Sequence, residues 1–177
     1  MKIKLTWPNL MKATALLLGV ILLGYLFLRP FVLTQTYGPE LKQPLQKYIE
    51  VLGTIQGRTD STIMAQVATG KTLYALTQYD WAKFPSLIVI TKADVKITQV
   101  VEYSSTNSEV IARIEEGWYK ASPATGAALD KCHADAYTDY FVLVREDGVW
   151  KVTDEKSIDM NIVDDSPELL AKYCGSN

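Results

Sequence analysis

Residues 13 to 28, ATALLLGVILLGYLFL, carry no charge, and Leu10-Met11 and Phe31-Val32-Leu33 prolong the apolar run at both ends. As a helix, Leu10 to Leu33 spans roughly 36 Å at about 1.5 Å per residue. The hydrocarbon core of a bilayer is about 30 Å thick, so the run is long enough to cross one. Lys12 and Arg29 stand near its ends, where long aliphatic stems let a charge reach the headgroups. Trp7 and Tyr37 hold interfacial positions. The run is therefore expected to be an uncleaved signal anchor that meets the lipid bilayer through residues 10–33. Two alternatives share part of the pattern. Lys2 and Lys4 ahead of an apolar core also suit a cleaved signal peptide, although Arg29-Pro30-Phe31-Val32-Leu33 offers no small-x-small cleavage site. A buried helix of a soluble domain is the other.

Lys2, Lys4 and Lys12 precede the uncharged stretch 13–28, and Arg29 is the only basic residue in the dozen after it. The positive-inside rule then leaves the short N-terminus in the cytoplasm and the bulk of the chain outside it, at a cell (inner) membrane. The expected division is 1–36 for the cytoplasmic N-terminus and span, 37–156 for a folded domain, and 157–177 for a C-terminal tail. With a formal net charge of −2 over 177 residues, the chain has no general electrostatic attraction for nucleic acid.

Past the run, Leu41, Leu45, Tyr48, Ile49, Leu52 and Ile55 recur at three- and four-residue spacing, one face of an amphipathic helix that Gly57 ends. Gly38-Pro39 is expected to separate it from the membrane helix. Short helices follow around Ile63, Met64 and Val67 and over Lys71 to Tyr79. After Pro85 the chain turns to Val, Ile and Thr. Ser86 to Ile90, Asp94 to Tyr103 and Glu109 to Tyr119 read as strands. Tyr137 to Arg145 and Val149 to Thr153 flank Asp147-Gly148, the strongest short-range hairpin signal. Ser166-Pro167-Glu168 can start a last short helix. Helices first and antiparallel strands afterwards predict an α+β fold: a transmembrane helix, then a cone-shaped domain of helices packed on a curved antiparallel sheet.

The stretches VKITQV, VIARIEEGWY and YTDYFVLVREDGVWKV, ending in Trp150-Lys151-Val152, carry a resemblance. From about Tyr37 to Lys156 the chain resembles the nuclear transport factor 2-like (cone-fold) superfamily. Within it, the pattern is closest to the IMS-type domain of chloroplast-division and cyanobacterial proteins. That resemblance implies a cone whose open end holds a ligand, a peptide or a partner's side chain.

The candidate chemistry is sparse. Asp139 and His133 are the residues to test if the cone is an enzyme, but an Asp at a strand start is more often a solvated edge residue. Glu115 and Glu116 point to opposite faces of one strand, so they do not converge on a substrate bond; Arg113 shares a face with Glu115 and suits a rim salt bridge. Gly70-Lys71-Thr72 lacks the spacing of a phosphate-binding loop. Cys132, His133 and Cys174 are too few for a zinc site, and no cofactor or metal is expected. Cys132 and Cys174 either form one disulfide, which an exported domain permits, or remain thiols. Tyr79, Trp81 and Phe84, with Trp118, form the candidate partner-binding surface, against the alternative that these rings cap the core. The expectation is a non-enzymatic, membrane-anchored accessory or assembly subunit that binds integral membrane proteins of a larger complex. A subunit of a conjugation or type IV secretion channel and a cone-fold enzyme or small-ligand carrier are the alternatives.

Overall fold

The computed structural model describes residues 7–159 and 165–175. Lys2 and Lys4 lie outside the described residues. Helix α1 runs unbroken over Trp7–Leu52, 46 residues, or roughly 69 Å at about 1.5 Å per residue. Short helices α2 (Ile55–Thr59), α3 (Ser61–Met64) and α4 (Gly70–Thr77) follow, then a single 3-10 turn at Trp81–Lys83. The strands are β1 (Leu87–Tyr103), β2 (Asn107–Ala121), β3 (His133–Glu146) and β4 (Val149–Asp159), and α5 (Pro167–Tyr173) ends the described chain. The strands pair antiparallel in the order β1-β2-β3-β4. This is the α+β arrangement expected, led by a helix long and apolar enough to cross a membrane.

The first half of α1 stands clear of the folded domain over its most apolar residues. None of its most apolar window is buried, and every large side chain from Leu16 to Leu18 and Val20 to Leu23 is more than half exposed. Apolar exposure on this scale has no place in water. The second half is the core helix. Leu41, Leu45, Tyr48 and Ile49 are buried against Val95, Val100, Val110, Ile114, Phe141, Leu143 and Val152 of the sheet.

The expected break at Gly38-Pro39 is absent. Pro30, Pro39 and Pro44 all lie within the helix. An interior proline removes one helical hydrogen bond and costs about 3 kcal/mol. Here Pro39 and Gln35, whose carbonyl it leaves unpaired, are on the exposed side, so water can replace the lost bond. The opposite face is held by the sheet.

Both sheet edges are covered, which removes the pairing hazard of an open strand. Along β1 the cover is α1: Gln46 Oε1 accepts from the Val95 amide at 2.9 Å, its Nε2 donates to the Ala93 carbonyl at 2.8 Å, and the Ile90 amide donates to the Gly53 carbonyl at 2.8 Å. A Cβ on Gly53 would sit 2.4 Å from Ile90 Cβ, so only glycine allows this approach. Along β4 the segment before α4 pairs in parallel, with Val152 donating to Val67 at 2.9 Å and Thr69 donating to Val152 at 2.8 Å. Register shifts in β1 at Ile90/Lys92, Ile97/Gln99 and Val100/Glu102 bend the strand around the helix.

The β3–β4 turn is the one that Asp-Gly foretells, with positive φ at Asp147 (52°) and Gly148 (80°). Just past it Trp150 Nε1 donates to Glu40 at 2.9 Å, and Tyr103 donates to the same carboxylate at 2.9 Å. These two bonds and the nearby Arg145 hold Glu40 below its ordinary pKa. The hairpin therefore supplies core and a clasp onto α1.

The described residues of segment 157–177, expected as a C-terminal tail, include ordered elements. β4 continues to Asp159, and α5, capped by Ser166 on the Leu169 amide, packs on the opposite face of the sheet from α1. There Tyr173 covers Gly117, and Lys172 and Tyr173 both donate to Glu115, at 2.9 and 3.0 Å. A disulfide joins Cys132 to Cys174 and ties this end down.

Candidate functional site

The loop between α4 and β1 gathers three rings. The Tyr79 and Trp81 centroids are 5.1 Å apart, Trp81 and Phe84 5.2 Å, and Tyr79 and Phe84 6.1 Å. Trp81 is the fixed member. Its Nε1 donates to the Leu76 carbonyl at 2.9 Å, and the Arg58 guanidinium lies 5.6 Å from its ring centre. Tyr79 and Phe84 remain 55% and 39% exposed, so the cluster is a surface feature with a half-buried base. Tyr74, 67% exposed on α4, lines a separate shallow groove with Thr62, Ala65, Leu73 and Thr77. Trp118 does not join this patch. It stands on the inner face of β2, stacks on His133 at 4.6 Å and donates to Asp135 at 2.7 Å.

The interior holds the feature that sequence reasoning missed. Alternation along β2 and β3 puts Glu116, Asp135, Tyr137 and Asp139 on the same face as the core residues Val110, Ala112 and Phe141. Glu155 on β4, Tyr48 on α1 and Arg58 on α2 complete an acidic interior. Tyr48 donates to Glu155 at 2.6 Å and Tyr137 to Glu116 at 3.1 Å. Desolvation pushes Glu116 and Glu155 up to about 7, against the tyrosine hydrogen bonds that lower them. Asp139 is also raised by burial, and its hydrogen bonds to Ser157 and Glu155 oppose this. The interaction between the two carboxyls lowers Asp139 and raises Glu155.

Asp139 is thus not the solvated edge residue expected: it lies mid-strand, 5% exposed. Its Oδ1 has no hydrogen-bond partner among the described residues. Glu155 and Tyr48 also line a pocket of about 280 Å³ with Leu52, Thr72 and Leu76, and the Lys71–Asp154 pair, 3.2 Å, stands at its mouth. A carboxyl raised to about 7 and a phenol lining one pocket can donate, accept or hold a proton near neutral pH.

The Glu115-Glu116 pair divides as alternation requires. Glu115 lies on the outer face with Arg113 at 3.2 Å and Lys172 at 2.9 Å, which hold it down at about 2. His133 sits beside the disulfide, its Nδ1 3.0 Å from Asp165. Among the described residues no three metal-type side chains converge.

No family model matches the chain, and no curated protein matches it. A solved structure does. The crystal structure of the intermembrane space region of chloroplast protein ARC6 superposes with a TM-score of 0.52 at 16% identity, covering 67% of this chain and 94% of that one. At that identity the likeness is one of fold, and it accords with the IMS-type resemblance read from the strand endings.

Proposed function

We propose that this protein is a single-pass, non-enzymatic accessory or assembly subunit of a larger membrane complex. Its N-terminus faces the cytoplasm, and its extracytoplasmic domain binds integral membrane proteins. The observation that carries this is the continuity of α1, which serves as apolar rod and core helix at once. A domain held on such a rod stays at one height and one orientation beside the bilayer. Tyr74, Tyr79 and Phe84 then supply exposed rings for a partner. The fold likeness to an intermembrane-space region supports a membrane-associated interaction role.

The test is purification of the tagged full chain in mild detergent, with the double variant Tyr79→Ser/Phe84→Ser beside it. A stoichiometric complex that the variant loses supports docking through this cluster. A wild-type chain that emerges alone counts against a subunit role.

A second reading, a small-ligand carrier or cone-fold enzyme, is favoured by the pocket that Glu155 and Tyr48 line. It requires that Glu155→Gln abolish an activity or ligand affinity while leaving complex formation intact.

A further inference from the structure

We propose that the groove where α1 meets β1 at the end of the apolar run seats one phospholipid of the adjoining leaflet. Its phosphate lies on Lys96 and an acyl chain lies along Phe27 and Phe31. The site rests on α1 being a membrane anchor, and it is separate from partner docking.

Depth comes first. The apolar run ends at Leu33, and one residue later α1 makes its first hydrogen bond to the sheet, from the Val100 amide to Thr34 Oγ1 at 2.7 Å. The headgroup layer therefore lies where this turn of α1 faces β1. At that level the helix and strand leave a groove of about 510 Å³, lined by Pro30, Phe31 and Gln35 on one side and Lys96, Ile97 and Gln99 on the other.

The lining is amphipathic in the way a phospholipid is. Phe31 and Ile97 are apolar; the two glutamine amides and the Lys96 ammonium are donors. Phe27 is one helical turn closer to the membrane on the same face as Phe31, and the two are 78% and 62% exposed. They form a track running from the hydrocarbon into the groove.

Lys96 is available for a phosphate, which lysine binds as a point charge. The two carboxylates near it are held by other cations. Asp94 is shared by Lys42 at 3.4 Å and Lys172 at 3.8 Å; Glu115 is held by Lys172 at 2.9 Å and Arg113 at 3.2 Å. Arg113, the register partner of Lys96, is the cation that turns Glu115 away from it. Lys96 is the charged residue lining the groove, and its neighbours Lys42, Lys172 and Arg113 outnumber Asp94 and Glu115. A transmembrane helix of another subunit would match Phe27 and Phe31 but would leave Lys96 at this depth without an anion.

The experiment uses the full chain in nanodiscs of phosphatidylcholine and phosphatidylglycerol, transferred to mild detergent and weighed by native mass spectrometry. Diacylglycerol, which lacks the phosphate, is the comparison lipid. One retained phospholipid is expected on the wild type. Lys96→Arg should keep it. Lys96→Glu should reduce retention roughly tenfold or more, with the domain's unfolding unchanged because Lys96 is exposed. Three results would overturn the site: no lipid on the wild type, equal retention by Lys96→Glu, or diacylglycerol held as well as phospholipid. A chain that never enters nanodiscs overturns the anchor as well, whereas one that enters and holds no lipid overturns the site alone.

Discussion

The Thr34 hydroxyl accepts a hydrogen bond from the Val100 amide and donates one to the Pro30 carbonyl, both at 2.7 Å. One side chain thus closes the free edge of β1 and supports the helix turn that leaves the apolar run. Thr34→Val keeps the shape and leaves the Val100 amide, on a fully buried residue, without its acceptor. A loss of about 1–3 kcal/mol is expected, read from urea denaturation of the detergent-solubilised chain, with Thr34→Ser close to wild type. Equal stability of Thr34→Val would mean that the helix does not seal this edge.

The disulfide joins Cys132 and Cys174, 42 positions apart in sequence. Chain-entropy reasoning puts its contribution at about 4 kcal/mol for a loop of that size. Cys132→Ser/Cys174→Ser should lose up to that amount, and reductant should destabilise the wild type but not the double variant. A reductant-insensitive wild type would show that the two thiols are not joined.

Glu116 and Glu155 titrate at about 7 in the fold against an ordinary 4.5. Between those values the folded chain binds more protons than the unfolded one, so stability falls as pH rises from about 4.5 to 7 and levels off above. The fall is as much as ~3 kcal/mol for one such group. Glu115, held at about 2, acts in the opposite sense: its contribution is lost as pH drops below 4.5. The unfolding midpoint should therefore peak near mildly acidic pH, and Glu116→Gln should flatten the decline toward neutrality. A wild-type profile without that decline would show that the cluster is not desolvated.

Gly117 lets α5 lie against the sheet, since a Cβ there would sit 2.8 Å from both Cβ and O of Tyr173. The backbone oxygen cannot swing aside, so Gly117→Ala should lift α5. Faster amide exchange is expected at Leu170 and Cys174, the amides that follow the lifted turn. Unchanged exchange at both would place the helix elsewhere.

Much of the fold was legible because its signals are local. Asp147-Gly148 flanked by alternating runs named its hairpin, and the spacing of Leu41, Leu45, Tyr48 and Ile49 named the core face of α1. Gly38-Pro39 misled, because proline's cost depends on which side of a helix faces water, and that is set by β1. Nothing local to Gln46 marks its role, because it completes the edge of a strand 49 residues away. The acid cluster was hidden for the same reason. Alternation shows that Glu115 and Glu116 face opposite ways, but only the register with β3 shows which of them joins Tyr137. The rings of Tyr79, Trp81 and Phe84 are adjacent in sequence and could be seen as a group; Trp118 was added to them by residue type, and tertiary structure sends it to His133.

The most direct measurement is the distance between spin labels at Ile21 and Lys47, both exposed on α1, in the full chain embedded in nanodiscs. Twenty-six residues of unbroken helix place those backbones about 39 Å apart. A single narrow distribution near that value is expected if one rod both crosses the lipid and carries the core. A broad or markedly shorter distribution would show a joint at Gly38-Pro39, and the domain would then not be held at a fixed height and orientation beside the membrane.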